Sequence, residues 1–131
     1  MSVSRDNRDK ALESIRPELD IPSGLNTGEV EQFQNQTLRP ILKFQNDFLH
    51  TIFETQLVKR KMKIDTDSKK TVYDSIEKVI KKDISFKNAL LFSILSLMTS
   101  EEVVVFRQSQ SEYSKRIINM IIQRLASHYI K

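Results

Sequence analysis

Residues 111–129 read SEYSKRIINMIIQRLASHY, and this stretch does most to decide the fold. On a helical wheel its apolar side chains span roughly 200°, wider than the stripe of roughly 100° that one packing face requires. The pattern leaves two arrangements open: either this helix lies in the centre of the core, or its additional face meets another subunit. The candidates for such a self-association face are Tyr113, Met120, Ile122 and Tyr129.

Three segments before this one also carry helical patterns. Residues 66–82 have one apolar stripe opposite a charged face, which indicates a surface helix. Residues 85–98 are apolar around the whole wheel, so we expect this helix at the centre of the core. Thr99 and Glu102 match a capping box and predict a short helix over residues 100–107.

A longer helix is predicted to run from near Thr27 or Gly28 towards Lys61. Pro40 lies within this pattern, and a proline inside a helix removes a hydrogen bond and clashes with the preceding turn. We therefore expect a kink or a break near residues 36–39.

The N-terminal part of the chain is less regular. Residues 1–16 form at most a short helix, which Pro17 would stop. Two of the three prolines and both glycines fall within residues 17–28, which predicts a loop or an extended strap. We therefore interpret residues 1–27 as a partly disordered, flexible or strap-like arm and residues 28–131 as a single helical domain.

The composition favours an all-α fold and excludes several kinds of site. A chain of 131 residues with 2 Gly and 3 Pro has few turn formers for an all-β fold, so we predict a compact bundle of four to five helices. The lack of Cys excludes disulfides, thiol nucleophiles and cysteine-ligated zinc. The sequence contains no Gly-rich phosphate loop and no known catalytic motif, and we predict no catalytic residue and no cofactor.

The distribution of apolar residues predicts a cytoplasmic protein that does not associate with a membrane. The first residues lack the apolar core of a secretory signal. The longest apolar-dominated run, residues 89–98, is far shorter than the ~20 residues that a membrane span needs.

The positive charge is concentrated in one stretch. The net charge of the chain is +4, while residues 58–82 alone hold nine basic and four acidic residues, a net charge of +5. This stretch could contact the phosphates of nucleic acid or another polyanion, or it could be a solvated face that aids solubility. No nucleic-acid-binding motif accompanies it. The polyanion-binding candidates are Lys59, Arg60, Lys61, Lys63, Lys70, Lys78, Lys81 and Lys82.

Three glutamines fall in the apolar sector of the long helix: Gln34, Gln45 and Gln56. A buried amide without partners costs about 1–3 kcal/mol, so these side chains need an explanation. They could line a polar pocket or a specificity-setting interface layer. Alternatively, the irregularity at Pro40 shifts the helical phase, or the amides are satisfied within the core.

One candidate metal cluster lies on the same helix. Asp47, His50 and Glu54 have the spacing of ligands on one helical face, and helical di-metal sites use a related Glu-x-x-His motif. Such sites need a second copy, but Leu125 occupies the acidic position relative to His128. The alternative is a solvated cluster of charge pairs, and we predict no bound metal. We interpret His128 as a partly buried structural residue.

Four stretches of the chain together resemble one protein family: TLRPILKFQN (37–46), DISFKNAL (83–90), MTSEE (98–102) and SKRIINMIIQRL (114–125). The family consists of small, uncharacterised bacterial proteins, some of which carry the label glyoxalase. The resemblance implies a compact helical domain in which Arg39-Pro40, Lys115-Arg116 and Arg124 are polar features of the family. The residues do not support the glyoxalase label, because glyoxalase I-type folds use paired βαβββ modules and His/Glu metal ligands.

The leading functional hypothesis from the sequence is a non-enzymatic helical module that self-associates, most simply as a two-fold homodimer, or that binds an unidentified protein partner. The first alternative is nucleic-acid or polyanion binding through the basic region at residues 59–82. The second is a helical protein that binds a small ligand or a metal through the glutamines or the Asp47, His50 and Glu54 cluster.

Overall fold

A computed structural model describes residues 5–17 and 28–130 of the chain, and within these ranges it is all-helical and contains no strand. The described residues form seven helices, more than the four to five predicted. The N-terminal segment adds one helix, and the long helix predicted to run towards Lys61 is divided in two at Gln45. The helices are α1 (Arg5–Ile15), α2 (29–44), α3 (Asn46–Arg60), α4 (Lys69–Lys82), α5 (Ile84–Leu95), α6 (Ser100–Gln108) and α7 (Gln110–Tyr129).

Helix α2 contains a widened turn at the place where the sequence predicted an irregularity. Its middle five residues, Gln34–Leu38, are π-helical, and regular α-helix resumes with Arg39–Phe44. Pro40 has no N–H to donate to the preceding turn, which a π-helical turn accommodates without ending the helix. The actual interruption comes later, at Gln45, where φ is −87° and ψ is 2°.

Helix α7 is the central helix of the bundle. It packs against α3, α4, α5, α6 and the π-helical turn of α2. Tyr113, Met120 and Ile122 are only 3%, 7% and 6% exposed, so the wide apolar face of α7 is buried within the chain itself. The prediction that these side chains form a self-association face is therefore wrong. Tyr129 is partly buried and packs against the ring of Phe53.

Helix α5 is less central than its composition predicts. Only Phe86, Leu90 and Ile94 of this helix are buried, while Phe92 is 65% exposed. Helix α5 packs mainly against α4 and α7, so one side of it is buried and the side that carries Phe92 stays exposed.

The other helices follow their sequence signals. Helix α4 buries a single stripe, formed by Val72, Ile76, Val79 and Ile80, and begins with a capping box at Ser68. Thr99 caps α6, because its hydroxyl accepts from the Glu102 N–H while Glu102 Oε1 accepts from the Thr99 N–H at 2.8 Å. The predicted short helix after residue 99 is thus confirmed.

Helix α1 docks on the turn between α5 and α6 through polar contacts. The Arg8 guanidinium donates to the carbonyls of Ser96 (2.6 Å) and Met98 (2.9 Å), and Asp9 accepts from the Ser100 N–H (2.9 Å). Over residues 5–15 the segment is therefore a docked helix and not a flexible arm. Most of the predicted strap falls on residues 18–27, which lie outside the described residues.

In the described part of the chain, no helix has the length and apolarity that crossing a membrane requires.

Candidate anion-binding cleft

A cleft of about 480 Å³ opens between the end of α4, the first half of α5 and the first half of α7. We call it the lysine cleft because three lysines line it, one from each helix: Lys81, Lys87 and Lys115. No carboxylate is among its described lining residues. The other lining side chains are Asn88, Leu91, Ser111, Ser114, Ile118 and Asn119.

Helical spacing brings these side chains to one side of each helix. On α5, Lys87 and Leu91 are four residues apart and therefore neighbours on the helix surface. On α7, Ser111, Lys115 and Ile118 follow one another at intervals of four and three residues in the same way. The buried stripe of α4 ends just before Lys81, which leaves this lysine at the rim.

The cleft combines an apolar floor with a positively charged rim. Ile118 is buried and Leu91 is half-buried, while Lys81 and Lys115 are exposed. Lys81 forms an ion pair with Glu77 one turn earlier. Within the described residues, neither Lys87 nor Lys115 forms an ion pair, so their charges are available to a ligand.

The first turns of α5 and α7 also border the cleft, through Lys87 and Ser111. The N-terminus of a helix carries a partial positive charge, which adds to that of the ammonium groups. Amide and hydroxyl groups of the lining Asn and Ser side chains supply neutral hydrogen-bond donors. The arrangement can therefore hold an anion with several oxygen atoms, such as a phosphate.

Most of the predicted basic residues lie elsewhere. Lys59, Lys61 and Lys63 are exposed at the end of α3 and in the loop after it, and Lys61 ends α3 in the left-handed conformation, with φ of 53°. Lys70 forms an ion pair with Asp74, and Lys78 is exposed on α4. Of the predicted set, only Lys81 lines the lysine cleft.

Arg60 and Lys82 line a second cleft of about 360 Å³, together with Gln56 and Asp83. Asp83 accepts hydrogen bonds from the Arg60 guanidinium, the Phe86 N–H and the Gln56 amide, and these lower the pKa of its carboxyl to about 2. The ionised Asp83 offsets the positive charge of Arg60, so this second cleft is a weaker anion site than the first.

Sequence reasoning missed Lys87 and Lys115 as members of the site. Both lie outside the stretch with the highest net charge, and their convergence with Lys81 depends on how three helices pack. A weak signal was present in the chain, because each lysine has an apolar residue three or four positions later on the same helical face: Leu91 after Lys87, and Ile118 after Lys115.

The three glutamines do not line a common pocket. Each connects its helix to a different part of the bundle: Gln34 Oε1 accepts from Arg116 at 2.9 Å, Gln45 Nε2 donates to the Ser93 carbonyl at 2.9 Å, and Gln56 Nε2 donates to Asp83 Oδ2 at 3.1 Å. These bonds agree with the alternative in which the amides are satisfied within the fold. Gln56 also lines the second cleft.

The candidate metal cluster is arranged differently from the sequence prediction. In the described residues no group of three His, Cys, Asp or Glu side chains could hold a metal ion, so Asp47, His50 and Glu54 do not converge. His50 instead lies beside His128 of α7, with ring centroids 5.5 Å apart. This proximity was not predicted from the sequence, because 78 positions separate the two histidines in the chain. His128 is exposed, so its interpretation as a partly buried residue is wrong.

Burial lowers the pKa of His50 below its ordinary value of 6.5, and the neighbouring His128 contributes in the same direction. The carboxylates of Glu54 and Asp47 oppose this shift without reversing it. At neutral pH the His50 imidazole is therefore mainly uncharged.

Comparison with known proteins adds no relative to this description: no family model matches the chain, and neither a curated protein nor a solved structure does. The resemblance drawn from the four sequence stretches therefore stays a prediction.

Proposed function

We propose that this protein binds the phosphate groups of nucleic acid, or of a comparable polyanion, in the lysine cleft formed by Lys81, Lys87 and Lys115. The observation that carries the proposal is the convergence of three lysines from three helices on one cleft whose described lining includes no carboxylate.

The size and chemistry of the cleft support this function. Its volume of about 480 Å³ falls within the range of about 300–1,000 Å³ that small-molecule sites occupy, so it can take one nucleotide-sized portion of a longer chain. The apolar floor at Leu91 and Ile118 can contact a sugar or a base while the ammonium groups contact phosphate oxygens. Each phosphate that a lysine neutralises releases counterions, so binding should weaken as salt rises.

The test is a titration of labelled single- and double-stranded oligonucleotides, followed by fluorescence anisotropy at three salt concentrations. We expect K87Q/K115Q to lower the affinity about tenfold or more and to reduce the slope of log K against log salt by about 1.5–2. The matched control is K61Q/K63Q, which removes the same charge from the loop after α3.

Equal losses in the two double variants would show that only net charge matters and would contradict the cleft. Absence of binding to either oligonucleotide and to inorganic polyphosphate at low salt would reject the function altogether.

A second candidate function is self-association, for which the structure offers a different face from the one predicted. Phe44 and Phe48 are each 46% exposed, and Phe92 is 65% exposed. The hydrogen bond from Gln45 to Ser93 places the start of α3 beside this part of α5, so the three rings belong to one region of the surface. Exposed aromatic patches of this kind mark interaction sites.

Light scattering across a concentration series tests this candidate. A homodimer that F48S/F92S converts to monomer supports it, and a monomer at all concentrations removes it.

A further inference from the structure

His50 of α3 and His128 of α7 form a pair of imidazoles that the lysine cleft does not involve. The ring centroids are 5.5 Å apart and the ring planes are inclined by 59°. His50 is partly buried and His128 is exposed in the last turn of α7, so solvent and ions can reach the pair.

The separation of the rings suits a shared metal ion. Zinc binds imidazole nitrogen at about 2.0–2.1 Å in a tetrahedral arrangement, which places the centroids of two ligating rings ~5 Å apart. The observed 5.5 Å is close to that value. Two helices supply one ligand each, and both are anchored in the core nearby, α3 through Leu49 and Phe53 and α7 through Leu125.

The surrounding charges also favour a cation. Asp47 and Glu54 lie three residues before and four residues after His50 on α3, which makes both carboxylates neighbours of His50 on the helix surface. Among the described residues, Arg124 of α7 opposes a further positive charge at His50. A metal ligand must be deprotonated, and an imidazole with its ordinary pKa of about 6.5 is mainly neutral at the pH of about 7.5 used below.

We propose that His50 and His128 together bind one divalent first-row transition ion, such as Zn²⁺, with water molecules completing the coordination. In the described residues no third His, Cys, Asp or Glu joins the pair in a metal-binding group, so the ion is held by two protein ligands and exchanges readily. Imidazole nitrogens select transition ions over Mg²⁺ and Ca²⁺, which prefer oxygen ligands. The bound ion links α3 to α7 and stabilises the folded state by mass action.

Isothermal titration of the untagged protein with Zn²⁺ at pH 7.5, and with Mg²⁺ as the comparison, tests this site. We expect one Zn²⁺ per chain, no heat from Mg²⁺, and a loss of affinity of about tenfold or more in both H50Q and H128Q. The control is E101Q, which keeps both imidazoles and instead removes an exposed carboxylate from α6, and it should change the Zn²⁺ affinity less than about twofold.

A thermal melt of each variant without metal checks that it is folded, and Zn²⁺ should raise the melting temperature of the wild type but not of H128Q. Because His128 is exposed, H128Q tests the site even where H50Q disturbs folding. No Zn²⁺ binding at about 1 mM would overturn the proposal. So would Zn²⁺ binding that H128Q leaves unchanged and D47N weakens, since that result assigns the ion to Asp47, His50 and Glu54.

Discussion

The side-chain amide of Gln45 donates to the backbone carbonyl of Ser93, 2.9 Å away. The N–H that would normally bond to this carbonyl belongs to Leu97, but it donates to Ile94 as α5 ends. The last carbonyls of a helix have no partner within the helix, so a side chain from the break between α2 and α3 satisfies one of them. A glutamine in an apolar stripe is thus explained by the end of a neighbouring helix.

Replacing Gln45 with Leu should lower the free energy of unfolding by about 1 kcal/mol, because the partly buried Ser93 carbonyl loses its shorter hydrogen bond and keeps only that from the Ser96 hydroxyl, at 3.5 Å. Urea denaturation measures the change. The matched control is Q36L, since Gln36 is exposed on the preceding helix and its loss should be within about 0.5 kcal/mol. Equal stability of Q45L and the wild type would show that the bond contributes nothing.

Arg16 and Glu102 form the ion pair that holds α1 on the bundle, and their side chains are only 13% and 17% exposed. Arg16 also donates to the Leu97 carbonyl, at 3.0 Å, so it satisfies a further carbonyl of the turn after α5. Breaking a largely buried pair leaves one charge uncompensated, so R16M should cost about 2–3 kcal/mol.

Because the chain has no Trp, circular dichroism is used to follow the chemical denaturation that measures this loss. The control is R107Q, at the exposed end of α6. A loss below about 0.5 kcal/mol in R16M would mean that α1 contributes little to the stability of the bundle.

The stability of the fold should fall in acid because two carboxyls have lowered pKa values. That of Asp83 lies at about 2, below its ordinary 3.8. Burial alone would raise the pKa of Glu102, but hydrogen bonds from Arg16, the Thr99 N–H and Thr37 outweigh it and lower the pKa. A lowered pKa in the folded state means that the unfolded state binds more protons in acid. The stability that the ionised Asp83 and Glu102 contribute is therefore complete above about pH 4–5 and is lost as pH falls towards about 2.

D83N should show a shallower loss of stability between about pH 4 and 2 than the wild type, measured by thermal melts across this range. Asn caps helices about as well as Asp, so the substitution keeps the cap of α5 and removes only the charge. An unchanged acid profile would contradict the lowered pKa of Asp83.

His50 should make the stability of the fold depend on pH in a second range, closer to neutrality. Its lowered pKa means that the unfolded state takes up the proton first, so stability contributed by the neutral imidazole is present above pH 6.5 and is lost as pH falls through the native pKa. NMR titration of the His50 ring measures that pKa directly, and H50Q should flatten the stability profile between about pH 7 and 5. A native pKa above 6.5 would reverse the sign and contradict the burial argument.

Ile122 tests whether α7 serves the core or an interface. Because Ile122 is 6% exposed within a single chain, I122A should cost about 2–4 kcal/mol and leave the oligomeric state unchanged. Val58, which is 79% exposed, provides the control V58A, for which little change is expected. A change in oligomeric state without a loss of stability would restore the original self-association face.

Local signals in the sequence were reliable where a single helix determines the outcome. The capping box at Thr99 and Glu102, the buried stripe of α4 and the irregularity before Pro40 depend on residues within a few positions of one another. The wide apolar face of α7 also indicated a central helix, but the same pattern fits an interface, and only the packing of five elements around α7 distinguishes the two.

Relationships between helices could not be read from the chain in the same way. The lysine cleft combines Lys81, Lys87 and Lys115, which share no local motif, and the pair of His50 and His128 joins two helices whose histidines are 78 positions apart. Periodicity gives the direction in which a side chain points from its own helix axis, but it does not give the position or tilt of the neighbouring helix.

The amino-acid sequence by itself determined that this protein is helical and where most of its helices begin and end, because capping, propensity and hydrophobic period act over distances of one or two turns. Tertiary structure alone decided which charges and rings meet, since that depends on how the apolar faces of separate helices pack. The lysine cleft and the histidine pair are both products of that packing.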